Sequence, residues 1–360
     1  MIKQIYFLTL YIFSTYFYSY ILITPSILLR LSPLTVKYFR ILSQSFVKFM
    51  FINGFKCKFY QAQTEQKIKE LFESTKDKID IIISNHISHI DSFIINCILK
   101  QYNISNFGGI VGNSVKYYPG IGLISLFGNN IEINRNWQTD ENLIKTQLDK
   151  IKLDNETFNK LDNETFNEVS NTSSKYVIFI FPEGIRMREN RLVGAQKFSK
   201  DNNIHRYENL LVPKIKGIWT IINHLTKTNR LGNVWDINII IPKYLRKKAE
   251  LVDLIKCNIG NIFIHMRTVS IKANYNYDEF KENFYNFWKE KDDLITNYKS
   301  FHYNEIDFND KKTYILNNII LLTFLLFGIY LLTKKSGRYY LLISFILSYV
   351  FVKLNIKKIL

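Results

Sequence analysis

"IDIIISNHISHID", residues 79–91, joins two patterns that fold differently. Its first half, Ile79–Ile83, is a short apolar run of the kind that makes a buried strand. The pattern turns helical near Ser88 and runs on through about residue 101. His86 then lies at a strand-to-helix turn and Asp91 in the first helical turn. A chain folding back through that turn brings the carboxylate to one imidazole nitrogen, fixing the tautomer and leaving the other nitrogen to take a proton from an alcohol. By spacing alone a lone His–Asp pair is more often only a turn contact. A metal site built from His86, His89 and Asp91 needs further ligands, and His205, His224, His265 and His302 sit in no clustered motif. Covalent catalysis has no support either: there is no G-x-S-x-G elbow and no cysteine in a catalytic context.

Outward from this stretch, further β-like runs appear at 131–133 ("IEI"), 176–181 ("YVIFIF"), 237–241 ("INIII") and 261–266 ("NIFIHM"). Helical patterns lie between them, notably over 91–101, 139–151 and 278–298. Strands alternating with helices predict an α/β sheet domain.

The composition sets limits on partners. The 360 residues carry 48 Lys and Arg against 31 Asp and Glu, a net charge of +17. Such a balance suits an anionic partner: nucleic acid, acidic lipid or a phosphorylated substrate. Asn, Ile, Lys and Tyr are abundant along the whole chain, so part of the lysine excess reflects overall bias. The cysteines, Cys57, Cys97 and Cys257, have no metal-type spacing and no disulfide framework, which suits a reduced compartment.

Both ends are apolar. Residues 5–29, "IYFLTLYIFSTYFYSYILITPSILL", hold no charge and are long enough to span a bilayer, or to lie in its interface as a helix hairpin broken near Pro25. The run is too long for a cleaved signal peptide. Residues 314–333 are again of spanning length, "KKSGR" follows, and 339–352 form a shorter apolar run. These patterns predict a membrane segment over 1–35, a folded domain over 36–303 and further membrane segments over 304–360. Within the domain, "LDNETFN" occurs at 153–159 and again at 161–167. This polar repeat predicts a disordered, low-complexity insertion over 152–175, with N-x-[ST] sequons at Asn155, Asn163 and Asn171.

Three more elements could join the His86 turn. In "FIFPEGIR", 179–186, an apolar strand ends in a turn shaped by Pro182 and Gly184, with Glu183 at the strand end, where open α/β sheets place their sites. In "IEINRNW", 131–137, Arg135 ends a short strand and has the fork geometry for a phosphate. In "LLVPKIKG", 210–217, Pro213 follows an apolar run and precedes two lysines. Taken singly, each reads as well as a solvated turn, a surface cation or an edge strand.

In this order and spacing the four elements resemble the glycerophospholipid acyltransferase family, the 1-acylglycerol-3-phosphate acyltransferases and their relatives. Asn85-His86 with Asp91 stand for its N-H-x₄-D, Ile131 to Arg135 for its block ending in Arg, Phe181 to Gly184 for F-P-E-G, and Leu211 to Pro213 for its Pro-containing block. The lysocardiolipin acyltransferase-like branch is nearest. It has Arg-x-Trp followed by acidic residues, as in "NRNWQTDEN", and a Pro-x-x-Gly, as in Pro119 and Gly122. It also has a late W-x-x-K-(D/E) helix, as in "FWKEKDDLITNY". The resemblance covers roughly residues 75 to 303. Three departures stand out: Glu132 and Ile133 replace the Phe of the second block, Ile185 replaces the usual Thr after F-P-E-G, and the polar repeat lengthens the link between the second and third blocks.

The resemblance implies an α/β fold, a mixed sheet flanked by helices, with membrane helices at both termini. It implies acyl transfer from acyl-CoA to a free hydroxyl of a lysophospholipid, of the lysophosphatidic acid or of the lysocardiolipin and lysophosphatidylglycerol type. His86 would be the general base and Asp91 its orienter, with neither metal nor cofactor required. Arg135 would bind the acceptor phosphate, with Lys214 a second cation. Glu183 and Gly184 would position the glycerol, and Asn85 and Pro182 fall in the same substrate-binding set. Backbone N–H groups at the helix start after His86 are the expected oxyanion donors. The expected partners are acyl-CoA, the lysophospholipid and membrane lipid, touched by the basic stretch 243–248, and not nucleic acid. The endoplasmic reticulum is the expected address. The rival readings are a catalytically degenerate lipid-binding or adaptor protein on the same fold, and transacylation without coenzyme A.

Overall fold

All six residues of strand β2, Ile79–Ser84, are buried. A strand packed on both faces reads as one apolar run, and its alternate side chains then serve two cores. Ile82 points into a core shared with Phe46, Phe51, Ile94, Trp235 and Ile264, while Ile81 and Ile83 point into a second with Ile178, Ile222, Phe284 and Trp288.

The computed structural model describes residues 2–28, 32–88, 90–118, 122, 125, 130–151, 175–242, 256–257, 259–270, 276–306 and 311–353. His89, Pro119, the polar repeat with its three sequons and the basic stretch 243–248 lie outside the described residues. Eight strands form one sheet in the order β4-β3-β5-β2-β6-β7-β1-β8. They are β1 (Lys58–Gln61), β2, β3 (Phe107–Gly112), β4 (Ile131–Ile133), β5 (Tyr176–Ile180), β6 (Leu231–Ile240), β7 (Asn261–Thr268) and β8 (Asn304–Glu305). Strands β4, β3, β5, β2 and β6 run parallel, so their carboxyl ends share one sheet edge. The β6–β7 and β1–β8 pairs are antiparallel, which makes the sheet mixed, as expected.

Helices α3 (Ser32–Phe49), α4 (Glu65–Glu73) and α5 (Asp91–Gln101) cover one face. Helices α6 (Trp137–Asp149), α8 (Ile215–Lys227) and α9 (Tyr277–Thr296) cover the other, and α7 (Glu189–Asp201) follows β5. The α6 and α9 helices start two and one residues before the predicted patterns. Strands β1, β3 and β8 had no prediction, and β6 begins six residues earlier than its apolar "INIII" run.

At the amino end, α1 (Ile2–Tyr18) passes through a π-helical turn, Ser19–Ile23, into α2 (Thr24–Leu28). Pro25 follows the π-helical turn, and the Tyr340 hydroxyl donates to the Ile21 carbonyl at 3.1 Å there. Soon after it α3 packs back on α1, with Tyr11 stacked on Phe46. At the carboxyl end, α10 (Lys311–Thr333) and α11 (Lys335–Lys353) form where apolar helices were predicted, and Phe17, Tyr20 and Leu341 make a small core between the two ends. Among the described residues, no helix is long and apolar enough to cross a membrane.

Candidate active site

The carboxyl ends of β2 and β5 are neighbours in the sheet, with Ile83 opposite Ile180. The turns that leave them, 85–90 and 181–188, therefore meet at the shared edge. Asn85 closes the first. Its buried side-chain amide donates to the Ile239 carbonyl and accepts from the Ile239 N–H, both at 2.8 Å, clasping β2 to β6. With both ends of the amide engaged, Asn85 shapes the turn and faces no open space.

His86 follows. Its Nδ1 lies 2.9 Å from Asp91 Oδ2, so in the Nδ1–H tautomer it donates to the carboxylate. The same oxygen accepts the N–H groups of Ile87 at 2.7 Å and Ser88 at 2.9 Å. Asp91 is the first residue of α5, where a carboxylate facing back over the helix start is favoured by the free N–H groups there. These bonds have a consequence for the oxyanion. The N–H groups of Ile87 and Ser88 are spent on Asp91, and that of Ile90 on Ser88 Oγ. Those three N–H groups are thus engaged within the turn and are not available to an oxyanion.

Burial pushes the Asp91 carboxyl upward, opposed by its bond to His86 and then by the two N–H groups. The His86 ring keeps partial exposure, 23% against none for the Asp91 side chain. Phe181 stacks on the imidazole, with centroids 4.4 Å apart and planes 21° from parallel. The Met187 N–H donates to the His86 carbonyl at 2.7 Å. Ring, tautomer and backbone are thus fixed, and Nε2 is the nitrogen left toward solvent. The role of Phe181 was missed from sequence, because a ring in an F-P-E-G run gives no hint of which partner it covers.

Glu183 sits beside this pair as a buried tie. Its Oε1 accepts the His86 N–H at 2.7 Å and its Oε2 the Leu211 N–H at 3.0 Å. It is 2% exposed, and burial raises its pKa to about 8 against those two bonds. A carboxylate so engaged joins three chain segments instead of reaching for a glycerol. Gly184 adopts φ +68°, a left-handed conformation that favours glycine, and a side chain there would meet the Lys214 stem at 3.0 Å. The Lys214 N–H donates to the Pro182 carbonyl at 2.8 Å, so the F-P-E-G turn and the Pro213 block close on each other.

Arg135 leaves the carboxyl end of β4, three strands from β2, roughly 14 Å along the edge at ~4.8 Å per strand. Its backbone is also left-handed, φ 63°. Buried Asp140 holds that turn by accepting the N–H groups of Asn134 at 2.7 Å and Asn136 at 3.0 Å. The guanidinium leans back over Gly112 at the end of β3, toward the His86 side: a side chain at Gly112 would come within 3.9 Å of Nε and Nη2. The arrangement therefore offers one oriented imidazole and, along the same edge, an exposed arginine fork with no described acidic partner.

The family model described as acyltransferase matches residues 63–213, the stretch that carries His86, Asp91, Arg135 and Glu183. Lysocardiolipin acyltransferase 1 of Mus musculus is 24% identical over 163 residues, covering 45% of this chain and 39% of that protein. The 1-acyl-sn-glycerol-3-phosphate acyltransferase 2 of Arabidopsis thaliana is 22% identical over 205 residues, covering 56% of this chain and 47% of that protein. The chain thus spans less than half the length of these curated relatives. A solved 1-acyl-sn-glycerophosphate acyltransferase from Thermotoga maritima aligns over 82% of this chain and 98% of its own, at 16% identity and a TM-score of 0.40. Family model, curated relatives and the four sequence blocks agree in supporting the glycerophospholipid acyltransferase family.

Proposed function

We propose that the protein transfers an acyl group from acyl-CoA to a free hydroxyl of a lysophospholipid. One observation carries this reading: an imidazole with Nδ1 held by a buried carboxylate and Nε2 toward solvent, at a sheet edge within the segment that the family model matches. An alcohol is a poor nucleophile until its proton has somewhere to go. Nε2 of His86 takes that proton as the oxygen attacks the thioester carbonyl, and Asp91 steadies the imidazolium that forms. When the tetrahedral intermediate collapses, the C–S bond breaks and coenzyme A leaves as a thiolate. The imidazolium returns its proton to the sulfur, so the step yields ester and thiol with the enzyme unchanged.

The exposed Arg135 fork suits an anionic phosphate of the acceptor. An acceptor headgroup of the lysophosphatidic acid or the lysocardiolipin type fits a phosphate held some way along the edge from the base. The same proposal places the enzyme on a bilayer, in the endoplasmic reticulum. Ile12, Phe13, Phe327, Leu342, Ile346 and Tyr349 are all exposed on α1, α10 and α11. So much outward apolar surface favours a lipid environment, and both substrates carry long chains. The test is to incubate membranes containing the full chain with labelled oleoyl-CoA and a panel of lysophospholipids. Acylation of at least one acceptor, lost in His86→Ala, supports the reading. No acylated acceptor, or an unimpaired His86→Ala, ends it.

A further inference from the structure

The late helix α9 buries more polar chemistry than its place behind the site explains. It starts on a capping box, in which Asn276 accepts the Glu279 N–H while the Glu279 carboxylate accepts the Asn276 N–H. Its inward face carries Phe280, Phe284 and Trp288, then the fully buried Lys291 and Asp292. Lys291 Nζ anchors the helix to β6, donating to Asp236 Oδ1 at 2.5 Å and to the Ile237 carbonyl at 2.8 Å.

Its neighbours on the same face, Trp288 and Asp292, do something different. Asp292 Oδ2 accepts the Glu208 N–H and Oδ1 the Asn209 N–H, both at 2.7 Å. Asn209 Nδ2 returns to Thr296 Oγ1 at 2.7 Å. Trp288 Nε1 donates to the Leu211 carbonyl at 2.9 Å. The segment 208–211 has neither helix nor strand, so these bonds from α9 set its path. That segment holds Glu183, through the Leu211 N–H on Oε2, and Glu183 holds the backbone of His86, through the His86 N–H on Oε1.

We propose that Asp292 and Trp288 are positioning residues for His86, acting in series through the 208–211 segment and Glu183. Neither touches the imidazole. Their contribution is to fix Leu211, hence the tilt of the Glu183 carboxylate, hence the height at which His86 leaves β2. A general base must sit within hydrogen-bond reach of the proton it takes, and misplacement of about 1 Å by a distant change costs on the order of 10² in rate. The kinetic part of this inference rests on the acyl-transfer reading; the structural part does not.

The test measures hydrogen–deuterium exchange on the full-length protein, as wild type, Asp292→Asn and Trp288→Phe. The asparagine keeps the shape but turns an amide N–H toward one of the two backbone donors, and the phenylalanine keeps an aromatic ring but removes the bond to Leu211 together with part of the buried indole's packing. The inference expects exchange to quicken about fivefold or more both in peptides spanning 207–212 and in peptides spanning 84–88, with α6 unchanged. Quickening confined to 207–212, or equal quickening everywhere, overturns it. Should Asp292→Asn fail to fold, Trp288→Phe decides alone. In the acylation assay both variants should lose about tenfold or more in kcat per folded molecule, with KM for acyl-CoA within about twofold. A lower melting temperature with unchanged kcat also overturns it. If wild type acylates nothing, the acyl-transfer reading fails while the exchange result still stands or falls on its own.

Discussion

His86 Nδ1 lies 2.9 Å from Asp91 Oδ2, and that one oxygen also accepts the N–H groups of Ile87 and Ser88. Three donors converge on a single buried oxygen, so Asp91 serves both the turn and the imidazole. Two substitutions separate the roles. Asp91→Asn keeps an oxygen for the backbone donors but loses the charge that steadies an imidazolium, and should cost about 10²–10⁴ in kcat with little loss of stability. Asp91→Ala strands two N–H groups as well, at roughly 1–3 kcal/mol each, and should melt well below Asp91→Asn. Paired activity and melting measurements check this; equal melting of the two variants would remove the structural role.

Glu183 gives a pH dependence of defined sign. Burial raises its folded pKa to about 8 from an ordinary 4.5. The folded state therefore binds the proton more tightly than the unfolded chain. The stability so contributed is full below about pH 4.5 and is lost as pH rises through about 8. Glu183→Gln removes the titration, and it also turns an amide toward one of the two N–H donors, costing roughly 1–3 kcal/mol at low pH. Urea midpoints measured from pH 5 to 9 should fall more steeply for wild type than for Glu183→Gln. Parallel curves would show that Glu183 does not titrate in this range.

The parts of this site that sequence made legible are those whose chemistry is local. Asn85 and His86 follow β2, Asp91 opens the helix after that turn and Glu183 lies in the turn after β5, and the apolar runs before them mark β2 and β5 by their β-branched content. What stayed hidden is long-range. The amide of Asn85 looked like a substrate contact until Ile239, 154 positions away, proved to be its partner. Nothing in the spacing tells that the two oxygens of Glu183 are met by the backbones of His86 and Leu211. Strand β3, "FGGIVG", gave no strand signal because three of its six residues are glycine. The reason lies across the sheet: a side chain at Gly109 would fall 2.5 Å from the Phe179 ring. Nor does the spacing tell that Asp91 takes the backbone N–H groups of Ile87 and Ser88.

Arg135 trades stability for an exposed cation. A non-glycine residue at φ 63° costs on the order of 1 kcal/mol, and no described acidic partner offsets it. Arg135→Gly should therefore raise stability by about that amount while weakening the acceptor. In the assay, KM for a phosphate-bearing lysophospholipid should rise about tenfold or more with kcat nearly kept, whereas Arg135→Lys should fall between. A KM that stays put in Arg135→Gly would take Arg135 out of the acceptor site.

The terminal helices supply the last prediction. Leu342 is 54% exposed and Ile346 51%, one turn apart on α11, beside the apolar groove that Ile12, Phe17 and Leu341 line against α1. Fully burying such a side chain is worth roughly 1.5–3 kcal/mol, so a bilayer that accepts both should lose them measurably. The double variant Leu342→Glu with Ile346→Glu should float with phospholipid vesicles at least about tenfold less than wild type. Because neither residue is near the described His86 contacts, turnover of a short-chain acceptor presented in solution should persist, and only long-chain acceptors in vesicles should suffer. Undiminished flotation would mean that α11 faces something other than lipid. Loss of both activities together would mean that the helix supports the fold itself.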